Sequence, residues 1–97
     1  MLRHIALFKW KDDASEEQVE AALADAVARI KGASDELIDA WAAPNLARRP
    51  QGYTHVLVSD YPDGPALERM RASAGHDAAL ARVKEHFAAF VVLDVEL

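Results

Sequence analysis

The chain has 97 residues, of which 52% are hydrophobic and 28% charged, and this is the size and composition of one soluble globular domain spanning residues 1–97. Its lack of cysteine excludes disulfides, thiolate metal sites and a thiol nucleophile, and it fits a cytoplasmic location. The net charge of −5 argues against nucleic-acid partners, and the absence of a signal-peptide pattern and of an apolar run of about 18 residues argues against a membrane partner.

The N-terminal half predicts a strand, a helix and a second strand. Residues 2–10 form a strand that is apolar in the middle of both faces, and one face carries Leu2, His4, Ala6, Phe8 and Trp10. Ser15 and Gln18 match a capping box that opens a helix, and Gly32 supplies its stop. Residues 35–43 alternate poorly, but the layout of the other elements favours a strand there.

The C-terminal half predicts a strand, an interrupted helix and a final strand. Residues 53–61 alternate most clearly and follow a loop over residues 44–52. Pro65 suits the first turn of the second helix, which we expect to break near residues 73–75. The inner stripe of this helix is predicted to contain Leu80, Val83 and Phe87. The valine-rich residues 90–97 predict a strand long enough to be central in the sheet.

The element order is therefore βαββαβ, the split βαβ pattern of α+β ferredoxin-like folds. Two helices cover only one face of a four-stranded sheet, so the apolar residues on the other face would form a larger exposed patch than monomers usually carry. Packing against the sheet of a second copy would bury this patch, which predicts a twofold-symmetric homodimer. The alternative is a monomer with an apolar sheet face.

Three of the four histidines are candidate site residues. His4 and His55 lie on strands that are neighbours in this fold, and they share a face if the register allows. His76 opens the second part of the last helix and can reach the sheet from above. Three converging imidazoles would line a small-molecule pocket as acid, base or hydrogen-bond donor, although each alone can also be a buried histidine bound to a backbone carbonyl. His86 is expected to face solvent.

Other kinds of site have little support. A three-histidine zinc site is conceivable, but no HxH or HxxxH pair and no carboxylate at ligand-like spacing accompanies the histidines. No GxSxG, P-loop or GxGxxG motif occurs. We therefore predict no metal and no cofactor.

The segments LRHIALFKWKDDASEEQVEAAL, GYTHVLVSDYPDGPALERM and AGHDAALARVKEHFAAFVVLDVEL resemble the stress-responsive dimeric A/B-barrel domain family over nearly the whole chain. The start with a basic residue, histidine and an apolar residue, the GYTH strand and the histidine that opens the late helix carry this resemblance. It implies a homodimer whose two sheets form a barrel with the helices outside.

The resemblance also implies a pocket. A plant polyketide cyclase of this family makes olivetolic acid by a cofactor-free intramolecular aldol condensation, and its histidines correspond to His4, His55 and the catalytic His76. The tyrosine that works with the last histidine is replaced here by Met70, which cannot donate a hydrogen bond, so the cyclase reaction is not expected. The relative's pocket positions correspond to Leu23, Ala26, Leu57, Arg71, Phe87 and Phe90. Such relatives can also bind a cation through backbone carbonyls near the end of the first helix. A site of this kind does not depend on particular side chains, so the sequence does not test it.

Three functional hypotheses follow. The first is a pocket for a small hydrophobic or polyketide-like molecule, either for binding alone or for cofactor-free acid–base chemistry through His76; its walls would include His4, His55, Leu23, Leu57, Met70 and Phe87. The second is a structural or stress-protective homodimer without a ligand. The third is a cofactor-free or haem-degrading monooxygenase, which would need histidine beside residues such as Trp10 and Asn45.

Overall fold

Four strands form one antiparallel sheet, and three helical segments cover one of its faces in the computed structural model, which describes residues 1–97. The strands are β1 (Leu2–Trp10), β2 (Asp39–Pro44), β3 (His55–Tyr61) and β4 (Phe87–Glu96). The helices are α1 (Glu16–Ala33), α2 (Gly64–Arg71) and α3 (Ala74–Lys84). The order across the sheet is β2-β3-β1-β4. The predicted α+β, ferredoxin-like βαββαβ fold is thereby confirmed.

Side-chain caps fix where the helices begin. Ser15 and Gln18 form the predicted capping box, with hydrogen bonds of 3.1 and 2.9 Å that each join a side chain to the other residue's backbone N–H. Ser73 opens α3 because its hydroxyl accepts a hydrogen bond from the backbone N–H of His76 at 3.1 Å and donates to the carbonyl of Met70 at 2.6 Å. The predicted break in the second helix lies at this cap.

Three details differ from the sequence prediction. Gly32 does not end α1, which continues to Ala33, because this glycine does not adopt the positive φ with which a glycine ends a helix. Phe87 lies in β4 instead of on the inner stripe of a helix, because α3 ends at Lys84 and the strand begins earlier than its valine-rich part. The strand β4 is at the sheet edge and not at its centre, because β1 takes the central place by pairing with both β3 and β4.

The strand register divides the sheet into a covered face, under the helices, and an open face. Paired residues point to the same side, so each face consists of rows that run across the strands. Successive rows on the covered face contain Ala40, Ser59, His4 and Asp94, then Ala42, Leu57, Ala6 and Val92, then Pro44, His55, Phe8 and Phe90. Two successive rows on the open face contain Trp41, Val58, Ile5 and Leu93, then Ala43, Val56, Leu7 and Val91.

The main core lies between the covered face and the helices. Apolar residues of α1, including Val19, Leu23 and Ile30, pack there against the strands. The helices α1 and α3 approach closely at Gly75, where an added Cβ would lie 2.3 Å from the Cβ of Ala33. This contact requires glycine and holds α3 over the sheet. None of the helices combines the length and the apolar character needed to cross a bilayer.

Candidate functional site

A cavity of about 350 Å³ lies between the covered face, α1 and the segment α2–α3. Its walls are mostly apolar, and its volume is near the lower end of the roughly 300–1,000 Å³ typical of small-molecule sites. The lining residues are His4, Ala6, Phe8, Ala26, Ile30, Leu57, Met70, Arg71, His76, Ala79, Leu80, Val83, Phe90 and Val92. All the polar side chains among them come from β1, α2 and α3, which gives the cavity one polar end.

The polar end is organised by an ion-pair network between β1, β4 and α2. Asp94 stands directly opposite His4 in the β1–β4 register, and its carboxylate lies 2.5 Å from His4 Nδ1. The Arg71 guanidinium donates to the other carboxylate oxygen at 2.8 Å. Arg71 also bonds Glu68 one turn earlier on α2, at 2.9 Å. Three elements are thus joined where the cavity becomes polar.

The network keeps Asp94 ionised. Burial raises the pKa of Asp94, but hydrogen bonds from His4 and Arg71 outweigh it, so this pKa is lower than that of an ordinary aspartate. An ionised carboxylate only accepts hydrogen bonds, so the short contact places a proton on His4 Nδ1. The other ring nitrogen of a neutral His4 is then a hydrogen-bond acceptor.

His76 occupies the first turn of α3 and is the second imidazole at the polar end. Its Nδ1 atom is buried and has no hydrogen-bond partner. Burial is the main cause that lowers the pKa of His76, and the charges of His4 and Arg71 lower it further, while nearby Asp77 raises it. The neutral imidazole is therefore favoured near pH 7, the form that accepts a proton.

Two hydroxyls lie beneath this end of the cavity. Ser59 stands opposite His4 in the β1–β3 register, and Tyr61 follows two residues later on the same face. Both residues are fully covered, and neither hydroxyl has a hydrogen-bond partner of good geometry. Burial raises the pKa of Tyr61, so its phenol stays neutral. These groups add polarity without charge.

The fold does not bring the three predicted histidines together. His4 and His55 share the covered face, but His4 pairs with Ser59 while His55 pairs with Phe8, four positions along the strand. Four residues of strand span about 13 Å, so the two rings are far apart. The expected cluster of His4, His55 and His76 is therefore wrong: only His4 and His76 line the cavity.

Of the other predicted pocket residues, two line the cavity, two line a separate groove, and one lies outside both. Leu57 and Met70 line the cavity, and Phe87 lies outside it. Leu23 and His55 instead line a separate groove between α1 and β2. The groove is remote from the polar end because it follows the opposite end of the strands.

His55 is engaged in its own contacts. Trp10 Nε1 donates to His55 Nδ1 at 3.0 Å, and the Thr54 hydroxyl lies 2.9 Å from the same nitrogen. Trp10 and His55 therefore meet outside the cavity, and the amide of Asn45 is bound to the Tyr53 carbonyl at 2.7 Å. His86 is more covered than expected, with 18% of its side chain exposed.

Asp94 and Val92 are among the residues of this site that the sequence alone does not single out. Both lie on the covered side of β4, and the pairing of β4 with β1 determines which residues stand next to them. Alternation along the valine-rich segment places Asp94 on the same face as Val92 and Phe90. The described residues contain no group of three or more His, Cys, Asp or Glu side chains placed to hold a metal ion.

Comparison with known proteins finds a matching family and a relative that is similar over the whole chain. The family described as Stress responsive A/B Barrel Domain matches residues 2–97. Uncharacterized protein SCO4036 of Streptomyces coelicolor is 31% identical over 97 residues, which is 99% of both chains.

Solved structures share the fold. A dimeric ferredoxin-like protein of unknown function from Thermobifida fusca has a TM-score of 0.83 at 28% identity, over 99% of this chain and 90% of that chain. The hydroxynitrile lyase from Passiflora edulis has a TM-score of 0.85 at 18% identity, over 99% of this chain and 92% of that chain. At this low identity the likeness to the plant enzyme concerns the fold alone.

Proposed function

The chain belongs to the stress-responsive A/B barrel domain family, and we propose that it is a homodimer that binds a small, mostly apolar molecule in the cavity. In this proposal His76 transfers a proton at the polar head group of the bound molecule, without a cofactor. The single observation that carries the proposal is the cavity itself, an apolar space whose polar end includes the His76 imidazole, a ring that burial favours in its neutral form.

The proton-transfer role follows from the surroundings of His76. A general base works well when it is neutral at the operating pH and lies within reach of the substrate. Burial keeps His76 neutral, and its position in the cavity wall directs it to the same space as His4. A carbonyl compound whose oxygen contacts the polar end would present its acidic α-proton to this base. The same fold carries a hydroxynitrile lyase in Passiflora edulis.

The homodimer is supported by the open face. Trp41 is 39% and Leu93 is 44% exposed, and both belong to one apolar row across the sheet. Val91 and Val95 extend this exposed surface along β4. Contiguous apolar surface of this kind marks an interaction site. The dimeric state of the Thermobifida fusca relative supports the same assignment.

A second candidate, a structural or stress-protective dimer without a ligand, is favoured by the same open face. It differs from the first in what it expects of His76, since a structural dimer needs no proton transfer. The contacts of Trp10 and Asn45 lie outside the cavity, which disfavours the monooxygenase hypothesis.

Exchange of α-protons separates the two candidates. Benzylacetone, a ketone with an apolar ring, is incubated in D₂O at pH 7.5, and loss of the α-proton signal is followed by NMR. We expect wild-type protein to accelerate exchange by about tenfold or more over buffer, and His76→Asn to abolish the acceleration.

The matched control is His86→Asn, which changes a histidine outside the cavity. It is expected to leave the exchange rate within about twofold of wild type, the scatter of a change that does not contact the reaction. Thermal unfolding checks that both variants are folded. Equal exchange with wild type and His76→Asn would contradict the catalytic role and favour the structural dimer.

A further inference from the structure

We infer that the polar end of the cavity selects a neutral hydrogen-bonding head group, such as an alcohol, a phenol or a ketone, and rejects carboxylates. This inference rests on the proposed function, because it assumes that the cavity binds a small molecule. It adds the chemical class of that molecule. The basis is the balance of charge around the one cation that lines the cavity, Arg71.

The positive charge of Arg71 is already compensated within the protein. Its guanidinium bonds Asp94 at 2.8 Å and Glu68 at 2.9 Å. Arg–carboxylate pairs are strong charge-assisted hydrogen bonds, so an incoming anion would have to compete above all with Asp94, which the β1–β4 register holds in place. An anion-binding site needs positive charge that is not already paired in this way.

The remaining groups add no positive charge. His76 is favoured in its neutral form, and Ser59 and Tyr61 provide uncharged hydroxyls behind His4. Asp77 adds a negative charge, with its carboxylate 3.9 Å from His76 Nδ1. With a neutral His4, the charges at this end are the Arg71 cation and the carboxylates of Asp94, Glu68 and Asp77; because Glu68 and Asp77 are mostly exposed and screened by water, Asp94 makes the main contribution. Their field opposes an anionic head group.

The hydrogen-bonding capacity of this end suits a neutral head group. His4 uses its Nδ1 proton on Asp94, so its other nitrogen accepts when the ring is neutral. The Nδ1 atom of His76 is buried, so a head group would contact Nε2, which donates or accepts according to the tautomer. A hydroxyl can donate to one imidazole and accept from the other, and a carbonyl can accept.

The rest of the cavity suits an aromatic or alkyl body. Phe8 and Phe90 lie in the row furthest from the polar end, with their ring centroids 6.5 Å apart. Leu57 and Val92 lie between these rings and the polar row. An apolar body of one ring and a short chain would lie along the strands with its head group at His4 and His76.

The test compares two ligands that differ only in the head group, 4-butylphenol and 4-butylbenzoate. Calorimetry at pH 7.5 measures the affinity of each for the full chain. We expect the phenol to bind at least about tenfold more tightly, since even one unfavourable charge near a protein surface changes affinity by this order. A benzoate that binds as tightly as the phenol, or more tightly, would overturn the inference.

A charge variant tests the cause. Asp94→Asn removes one of the two carboxylates on Arg71, and we expect the preference for the phenol to fall by about fivefold. Glu68→Gln is the matched control, because it removes the other carboxylate from the same guanidinium, but Glu68 is 68% exposed and its charge is screened by water. The control is expected to change the preference by less than about twofold. An unchanged preference in Asp94→Asn would contradict the role of Asp94.

The outcomes distinguish this inference from the proposed function. If neither ligand binds wild-type protein, the cavity function itself is contradicted. If both bind and the benzoate is preferred, the cavity function stands and the inference about the head group fails. Thermal unfolding of each variant shows whether a lost preference reflects the changed charge or a lost fold.

Discussion

The covered and open faces of the sheet are built from the same four strands, yet they differ in what lies against them. The covered face carries the row with His4 and Asp94, and helices enclose a cavity above it. The open face carries the row with Ile5 and Leu93, and the helices do not pack against it. Because side chains alternate along a strand, adjacent residues face different surroundings and can serve different functions.

The clearest example is on β4. Val92 lines the cavity, whereas Leu93, the next residue, belongs to the exposed row of the open face. Both side chains are apolar and about equally exposed, at 40% and 44%. The same substitution at these two positions therefore tests the assignment of the two faces.

The largest effect is expected for Leu93→Asp. The proposed dimer would bury this residue twice, and replacing both leucines by charged side chains should cost about 3 kcal/mol or more of association free energy. Sedimentation velocity at micromolar concentration should show a shift from dimer to monomer, and binding of 4-butylphenol should survive. A dimer as stable as the wild type would place the interface elsewhere.

The adjacent substitution, Val92→Asp, should have the opposite pattern. A charged side chain in the apolar wall should weaken 4-butylphenol binding by about thirtyfold, because the ligand would desolvate the carboxylate. The sedimentation coefficient should remain that of the dimer. Loss of the dimer with intact ligand binding would show that the two faces have been assigned in the wrong order.

A substitution at the contact between α1 and α3 should have a somewhat smaller effect. Gly75→Ala places a Cβ against Ala33, and such overpacking costs about 1–3 kcal/mol. The free energy of unfolding should fall by this amount in urea. Gly32→Ala is the control, because no atom lies within 4 Å of the added Cβ, and it should be neutral or stabilising. Equal effects at the two glycines would argue against a tight contact at Gly75.

The smallest effect is a pH dependence of stability from His76. Its pKa is lowered in the folded state from the ordinary value of 6.5, chiefly by burial; His4 on β1 and Arg71 on α2 lower it further, whereas Asp77 on α3 raises it. The unfolded chain then binds the proton more readily, so stability is complete above pH 6.5 and declines as the pH falls from there through the folded pKa. His76→Asn should flatten this decline in urea titrations between about pH 7 and pH 5. An unchanged slope would contradict the burial of a neutral imidazole.

Much of the fold was predictable, because local patterns determine it. The capping box at Ser15 and the alternation in residues 2–10 identify α1 and β1 without any knowledge of their partners. The sequence pattern predicts a helix at Phe87, because the spacing between Val83 and Phe87 continues the apolar stripe of α3. The turn that ends α3 lies between these two residues.

The candidate site was less predictable, because it depends on the pairing between distant strands. Asp94 and His4 are 90 residues apart in sequence, and no local pattern brings them together. A shift of the β1–β3 register by a few positions would have placed His55 beside His4, and only the structure shows that Ser59 stands there instead. His76 was identifiable because it opens a helix above the sheet, a position that depends on local sequence.

Native mass spectrometry of the wild-type chain with 4-butylphenol tests the assignment of the two faces most directly, because one spectrum reports both association and ligand binding. We predict a dimer at micromolar concentration that binds one ligand for each protomer. A monomer would contradict the proposed role of the open face, and a dimer that binds no ligand would contradict the proposed role of the covered face.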